Sequence, residues 1–204
     1  MEKGEYTVFG YGSLIWKPPP HVVRKTPGYL KHYVRRFAQS SSDHRGTPEF
    51  PGRVVTLIHA DEWANFSDQD AFPHEDTVWG VAYTIDPAHA QEVREYLDYR
   101  EKDGYTVHKV DVYGMVDGAE KVVLEQATVY VGKADNPSFV GSEPLDILAK
   151  RIYDSVGPSG PNKDYLRALS QAVKELAPGS HDSHLHALEI RVDQLESEVQ
   201  GARS

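Results

Sequence analysis

The spacing of apolar positions changes repeatedly along the chain, and each change predicts an element. Residues 6–10 (YTVFG), β-branched and aromatic at their centre, predict a first strand. Residues 17–28 hold four prolines and predict an irregular connection. Aromatic and basic residues alternate over 29–37, and RVVTLI at 53–58 predicts a buried strand. Between them QSSSDHRGTPEFPG predicts a long polar loop. Residues 59–77, acidic and unpatterned, predict a second exposed loop before the strand VWGVAYTI at 78–85.

Pro87 then opens a helix whose apolar positions Ala90, Val93, Tyr96 and Leu97 recur at helical spacing. Strands follow near 105–113 and 122–131, and a helix at about 144–155 after Pro144. GPSGP at 157–161 breaks the chain, and Asn162 is placed to cap a helix running to Leu176. In the tail, Leu185, Leu188, Val192, Leu195 and Val199 form a narrow stripe that suits packing on the body or a dimer seam, with packing favoured. No internal repeat is visible. The expectation is one α+β domain over 1–204, built on a mainly antiparallel sheet or barrel, with 182–200 as a C-terminal amphipathic helix.

Composition narrows the function. The net charge of −9 argues against nucleic-acid or anionic-membrane partners. The chain has no cysteine, which removes disulfides, thiolate metal sites and cysteine nucleophiles, and fits a reducing, cytoplasmic setting. No apolar run approaches membrane-spanning length and no signal-peptide pattern is present. A small-molecule enzyme or a binding module remains.

Two stretches suggest chemistry. VFGYGSL, residues 8–14, ends a strand in a glycine-rich loop, which reads either as a tight turn or as a cradle where a ligand meets the main chain. It is neither a dinucleotide fingerprint nor a P-loop, and Ser13 lacks the elbow of a serine hydrolase. YLDYREKDGY, residues 96–105, crowds acids, bases and tyrosines at a helix exit. It reads as a solvated terminus, or as a carboxylate in an aromatic pocket suited to proton transfer. Asp98 and Asp103 are competing carboxylates there, Asp98 reading best as a structural acceptor. Arg45 and Arg53 are candidate partners for substrate carboxylates, or structural ion pairs. Tyr105, Tyr130 and Tyr165 are candidate pocket walls. Of the ten histidines, His44, His181, His184 and His186 are read as incidental surface residues, and no metal is expected.

These blocks, with RRFAQSSSDHRGTPEFPGRVVTLI, VYVGKADNPSFVG and GPSGPNKDYL, resemble in order the ChaC-like γ-glutamylcyclotransferases, over residues 8–188. The resemblance implies a small β-barrel flanked by helices, and release of 5-oxoproline and cysteinylglycine from glutathione without a cofactor. It implies a substrate loop at Val8, Phe9, Gly10, Tyr11, Gly12, Ser13 and Leu14, with Glu101 as general acid and base. Arg45, Arg53, Tyr105 and Tyr165 are further substrate-binding candidates, and a monomer or weak dimer is expected. Ala38 stands where the family usually has tryptophan. The alternatives are a cyclotransferase for other γ-glutamyl amines or amino acids, and a non-catalytic γ-glutamyl-binding protein.

Overall fold

β1 (Thr7–Gly10) is buried on both faces, which is why it reads as a continuous apolar run rather than an alternating one. In the computed structural model, which describes residues 5–68, 70–72, 77–100, 105–132, 135–180 and 182–202, every residue of this strand is buried. It is followed by a 3₁₀ turn (Ser13–Ile15), β2 (Val22–Leu30), β3 (Tyr33–Ser41) and β4 (Gly52–His59). Then come α1 (Ala60–Trp63), β5 (Val78–Ile85), α2 (Ala90–Arg100), β6 (Tyr105–Val116) and β7 (Ala119–Gly132). The chain ends with α3 (Leu145–Asp154), the short β8 (Val156–Gly157) and β9 (Gly160–Pro161), α4 (Asn162–Leu176) and α5 (Ser183–Gly201).

Five strands close a barrel in the order β1-β5-β2-β6-β7, antiparallel except where Val8 meets Thr128 across β1 and β7. β3 and β4 form a separate antiparallel ribbon. The faces of β1 divide the core: Val8 packs with Tyr83, Ile85, Val93 and Leu97 beneath α2, and Phe9 with Leu57, Val129 and Leu166 on the other side. Val93 and Leu97 are fully buried, each worth about 1.5–3 kcal/mol, and they hold α2 to the barrel. In the tail, Leu185, Leu188 and Val192 are buried in the main core, and salt links from Lys163, Arg167 and Lys174 to Glu196, Asp193 and Glu189 flank the α4–α5 seam.

Several expectations need correction. Residues 17–28 are not wholly irregular, because β2 starts at Val22 and includes Pro27. β2 pairs with β5 along its length and meets β6 only at Tyr29, so a missing proline N–H is tolerated on the side without a second neighbour. The β6–β7 hairpin is longer than predicted, since Asp117 and Gly118 (φ 54° and 76°) make a two-residue turn that lets both strands run to its foot.

Residues 59–77 are not simply exposed. Trp63 is buried, its indole N–H donates to Asp70 at 2.6 Å, and Arg36 bonds the same carboxylate at 2.8 Å. Ala38 sits beside Trp63 in a satellite cluster with Val34 and Ile58. The departure from the family's tryptophan therefore falls in that cluster.

Asn162 does not cap α4 with its side chain. It is the first helical residue, and its amide accepts from Arg53 N at 2.6 Å and donates to Arg53 O at 2.8 Å, clasping β4. On the other flank of the ribbon, Ser40 N donates to Ser138 O and Val140 N to Ala38 O.

His184 is not a surface residue. Its Nε2 accepts from Phe37 N at 3.1 Å in the core, and its Nδ1 has no partner among the described residues. Burial, helped by the Arg36 charge, pushes its pKa down to about 3, so it is neutral in the fold. Beside it the buried pair Arg35–Asp182 (2.6 Å) joins β3 to the start of α5, where Asp182 also accepts from Leu185 N.

Candidate active site

The chain can reverse after β1 because position 10 is glycine: a Cβ there would lie 2.6 Å from the Cβ of Leu14. The 3₁₀ turn that follows has its carbonyls occupied within the protein. Arg35 donates to Tyr11 O at 2.7 Å, Ile15 N to Gly12 O at 3.0 Å and Lys17 N to Ser13 O at 2.8 Å. The Tyr83 hydroxyl donates to Leu14 O at 2.8 Å, and burial pushes its pKa up to about 12, so it stays a donor. The amides of Ser13 and Leu14 donate to no other described residue. The turn therefore offers donors, not acceptors, on a stretch that lines a cleft of about 670 Å³.

Phe9, Tyr11, Gly12, Ser13 and Leu14 form one wall of this cleft. Tyr96, Tyr99 and Arg100, at the end of α2, form another, and the Arg100 guanidinium holds Ser13 Oγ at 2.6 Å. Tyr105 and Tyr130 come from the β6–β7 hairpin. The Tyr130 hydroxyl donates to Asp98 at 2.7 Å, its carbonyl accepts from the Tyr11 hydroxyl, and burial with that carboxylate raises its pKa. Asp98 thus serves as a hydrogen-bond acceptor. The remaining side is made by Gln39, Ser41, Arg45 and Tyr165. Arg45 lies 5.5 Å from the Tyr165 ring centroid and donates to Pro161 O. Neither Arg45 nor Lys17, which also lines the cleft, has an acidic partner within ion-pair distance among the described residues.

The predicted residues therefore divide. Phe9, Tyr11, Gly12, Ser13, Leu14, Arg45, Tyr105 and Tyr165 line the cleft, and Val8 does not, because strand alternation turns it toward α2. Gly10 makes the turn without lining the cleft. Arg53 is not brought there either, since it makes a two-pronged ion pair with Glu143 at 2.6 and 3.1 Å. Glu101, Asp103 and His181 lie outside the described residues. The neighbours flanking the 101–104 segment, Arg100 and Tyr105, both line the cleft. Sequence reasoning missed Lys17, Gln39, Tyr99 and Arg100 as wall residues, although Tyr99 and Arg100 directly precede Glu101.

A Cβ on Gly12 would sit 3.1 Å from Val55 Cγ2 and 3.4 Å from the Tyr165 hydroxyl. Gly12→Val is expected to fill this part of the cleft and raise the KM of a substrate held by the turn at least about tenfold, or ~1.4 kcal/mol. Unchanged saturation kinetics would remove the turn from substrate binding.

The family model described as ChaC-like protein matches residues 6–195. A glutathione-specific gamma-glutamylcyclotransferase of Schizosaccharomyces pombe is 47% identical over 190 residues, 93% of each chain. One of Saccharomyces cerevisiae is 41% identical over 201 residues, covering 83% of this chain and 85% of the relative. A crystal structure of a glutathione-specific gamma-glutamyl cyclotransferase from yeast superposes with a TM-score of 0.80 at 38% identity, covering 94% of this chain and 99% of that one.

Proposed function

The chain belongs to the ChaC-like protein family, and from that premise we propose that it is a glutathione-specific γ-glutamylcyclotransferase, converting glutathione to 5-oxoproline and cysteinylglycine. The observation that carries this reading is the cleft-lining turn, whose carbonyls are engaged while the amides of Ser13 and Leu14 have no partner among the described residues.

The reaction needs little machinery, because the substrate supplies its own nucleophile. The α-amine of the γ-glutamyl group attacks the γ-carbonyl carbon, a C–N bond closes the five-membered lactam, and the C–N bond to the cysteine nitrogen breaks. Holding the glutamyl chain folded makes this attack intramolecular, which is worth up to about 7–11 kcal/mol in well-oriented cases. The amine must lose a proton before it attacks, and the leaving nitrogen must gain one. We assign both transfers to Glu101, which in the sequence directly follows the cleft-lining Arg100. Negative charge developing on the carbonyl oxygen calls for donors, and the amides of Ser13 and Leu14 are suited to it, each worth about 3 kcal/mol if preorganised. Arg45 and Lys17 are suited to the substrate's two carboxylates. No step needs a thiol, in keeping with a chain that has no cysteine. Action in the cytoplasm, where glutathione keeps thiols reduced, follows from this substrate.

The test is product formation by the purified protein with chelator present. 5-oxoproline is expected from glutathione at a kcat/KM well above that for γ-glutamylalanine. Turnover of γ-glutamylalanine alone would point to the cyclotransferase for other γ-glutamyl compounds, and turnover of neither would leave a binding protein.

A further inference from the structure

Away from the cleft, one group of three metal-ligand side chains converges among the described residues: His21, His89 and Glu92. One ligand atom from each lies within 4.8 Å of the other two. The imidazole rings are stacked, 3.7 Å between centroids and 6° from parallel. Glu92 reaches toward both, with Oε2 at 3.0 Å from His89 Nδ1 and Oε1 at 3.9 Å from His21 Nε2.

The backbone holds this set in place. Asp86 donates its N–H to His21 O at 2.9 Å and accepts from His89 N at 2.9 Å, so one residue fixes both histidines. Its carboxylate also accepts from Ala88 N, and Glu92 follows His89 by one helical turn. His21 itself is held in the left-handed region, φ 56°, which is uncommon for residues other than glycine although asparagine, aspartate and histidine enter it more readily than most. The three side chains are partly to largely exposed, so burial does not fix their orientations.

We propose that His21, His89 and Glu92 bind one divalent zinc-class ion, with solvent completing the coordination. Two imidazoles and a carboxylate form a borderline donor set suited to such ions rather than to calcium or magnesium. Bonds of about 2.0–2.2 Å place neighbouring ligand atoms ~3.4 Å apart in a tetrahedral site, so binding requires the stacked rings to turn out of parallel and the ligand atoms to draw in from within 4.8 Å. The ion ties the start of β2 to the start of α2. None of the three ligands lines the cleft, and α2 carries Tyr96, Tyr99 and Arg100 about 6–12 Å beyond Glu92 along its axis, so the ion has no direct part in the reaction.

The site is tested on the full, tag-free chain after chelator treatment, with zinc chloride titrated by calorimetry in the absence of glutathione, whose thiol binds zinc. One equivalent taken up saturably, with a rise in melting temperature, is expected for the unaltered chain. His89→Ala and His21→Asn should each abolish that uptake, asparagine being chosen because it tolerates the left-handed backbone. Both variants should convert glutathione at the unaltered rate. Absence of saturable uptake, or uptake retained in both variants, overturns the site.

Discussion

Glu101→Gln is expected to lower the rate of 5-oxoproline release by about 10²–10⁴-fold while leaving the melting temperature close to that of the unaltered protein. Glutamine keeps the size and hydrogen-bonding reach of glutamate but neither takes up nor releases a proton at neutral pH. The substrate would still bind and fold, and the Ser13 and Leu14 amides would still be present, so residual cyclisation above the uncatalysed rate should remain. The loss should fall on kcat rather than KM, because a proton shuttle acts in the transition state and hardly at all in binding. Glu101→Asp should recover part of the rate by restoring the carboxylate at a shorter reach. Full activity in Glu101→Gln would transfer the proton to another group. A loss confined to KM would make Glu101 a binding residue.

Arg35→Met is expected to cost about 3–5 kcal/mol of stability, read as a shift of the denaturation midpoint. It would strand the buried Asp182 carboxylate and remove donors from Tyr11 O and Trp79 O. The double variant Arg35→Met/Asp182→Leu, which removes both charges, should recover much of that stability, though it also uncaps α5 at Leu185. Activity separates the two roles of Arg35. If it also positions the turn through Tyr11, the double variant should keep a raised KM for glutathione at temperatures where it is folded. A normal KM there would leave Arg35 as a structural residue only.

The same network makes the protein acid-sensitive. His184 is neutral in the fold down to about pH 3 but takes a proton near 6.5 when unfolded, so stability should fall as pH drops below about 6.5, by up to ~1.4 kcal/mol per unit. Burial alone would raise the Asp182 pKa, but the Arg35 charge and its hydrogen bonds, with Leu185 N, outweigh it and hold the carboxyl below its ordinary value. That contribution is present above about pH 4 and is lost as the pH falls further. Melting measured from pH 7 to 5 should therefore show a steeper decline for the unaltered chain than for His184→Gln. Parallel declines would remove His184 from the account.

Elements with one uninterrupted apolar period were legible in the sequence. The strands at 53–58 and 78–85 lie within β4 and β5, and the predicted α3 and α4 needed little adjustment. β2 was hidden because prolines are local signals, three before the strand and one within it, whereas its tolerance of Pro27 depends on which side of the strand has a neighbour. The buried polar cluster was hidden for a related reason. Asp70 and His184 look like surface residues until folding brings Arg36 and Phe37 to them, 34 and 147 residues away. In the cleft the glycine turn was legible because its backbone geometry is written locally in Gly10 and Gly12. Strand alternation alone distinguishes Val8 from Phe9. Nothing local indicates that Arg53 is paired with Glu143 while Arg45 has no acidic partner among the described residues, since that difference comes from a residue 90 positions downstream of Arg53.

The two-stranded ribbon carries a further consequence. A lone hairpin has two outer rows of unpaired N–H and C=O groups, the surfaces on which a second chain adds as a new strand and aggregation begins. Here both rows are interrupted without a third strand: the Asn162 amide occupies Arg53 on one, and Ser138 and Val140 occupy Ser40 and Ala38 on the other. Asn162→Leu would reopen one of them beside a cleft that must stay accessible to substrate. Resistance to edge-to-edge aggregation at high concentration is then expected to rest in part on a carboxamide that does not line the cleft.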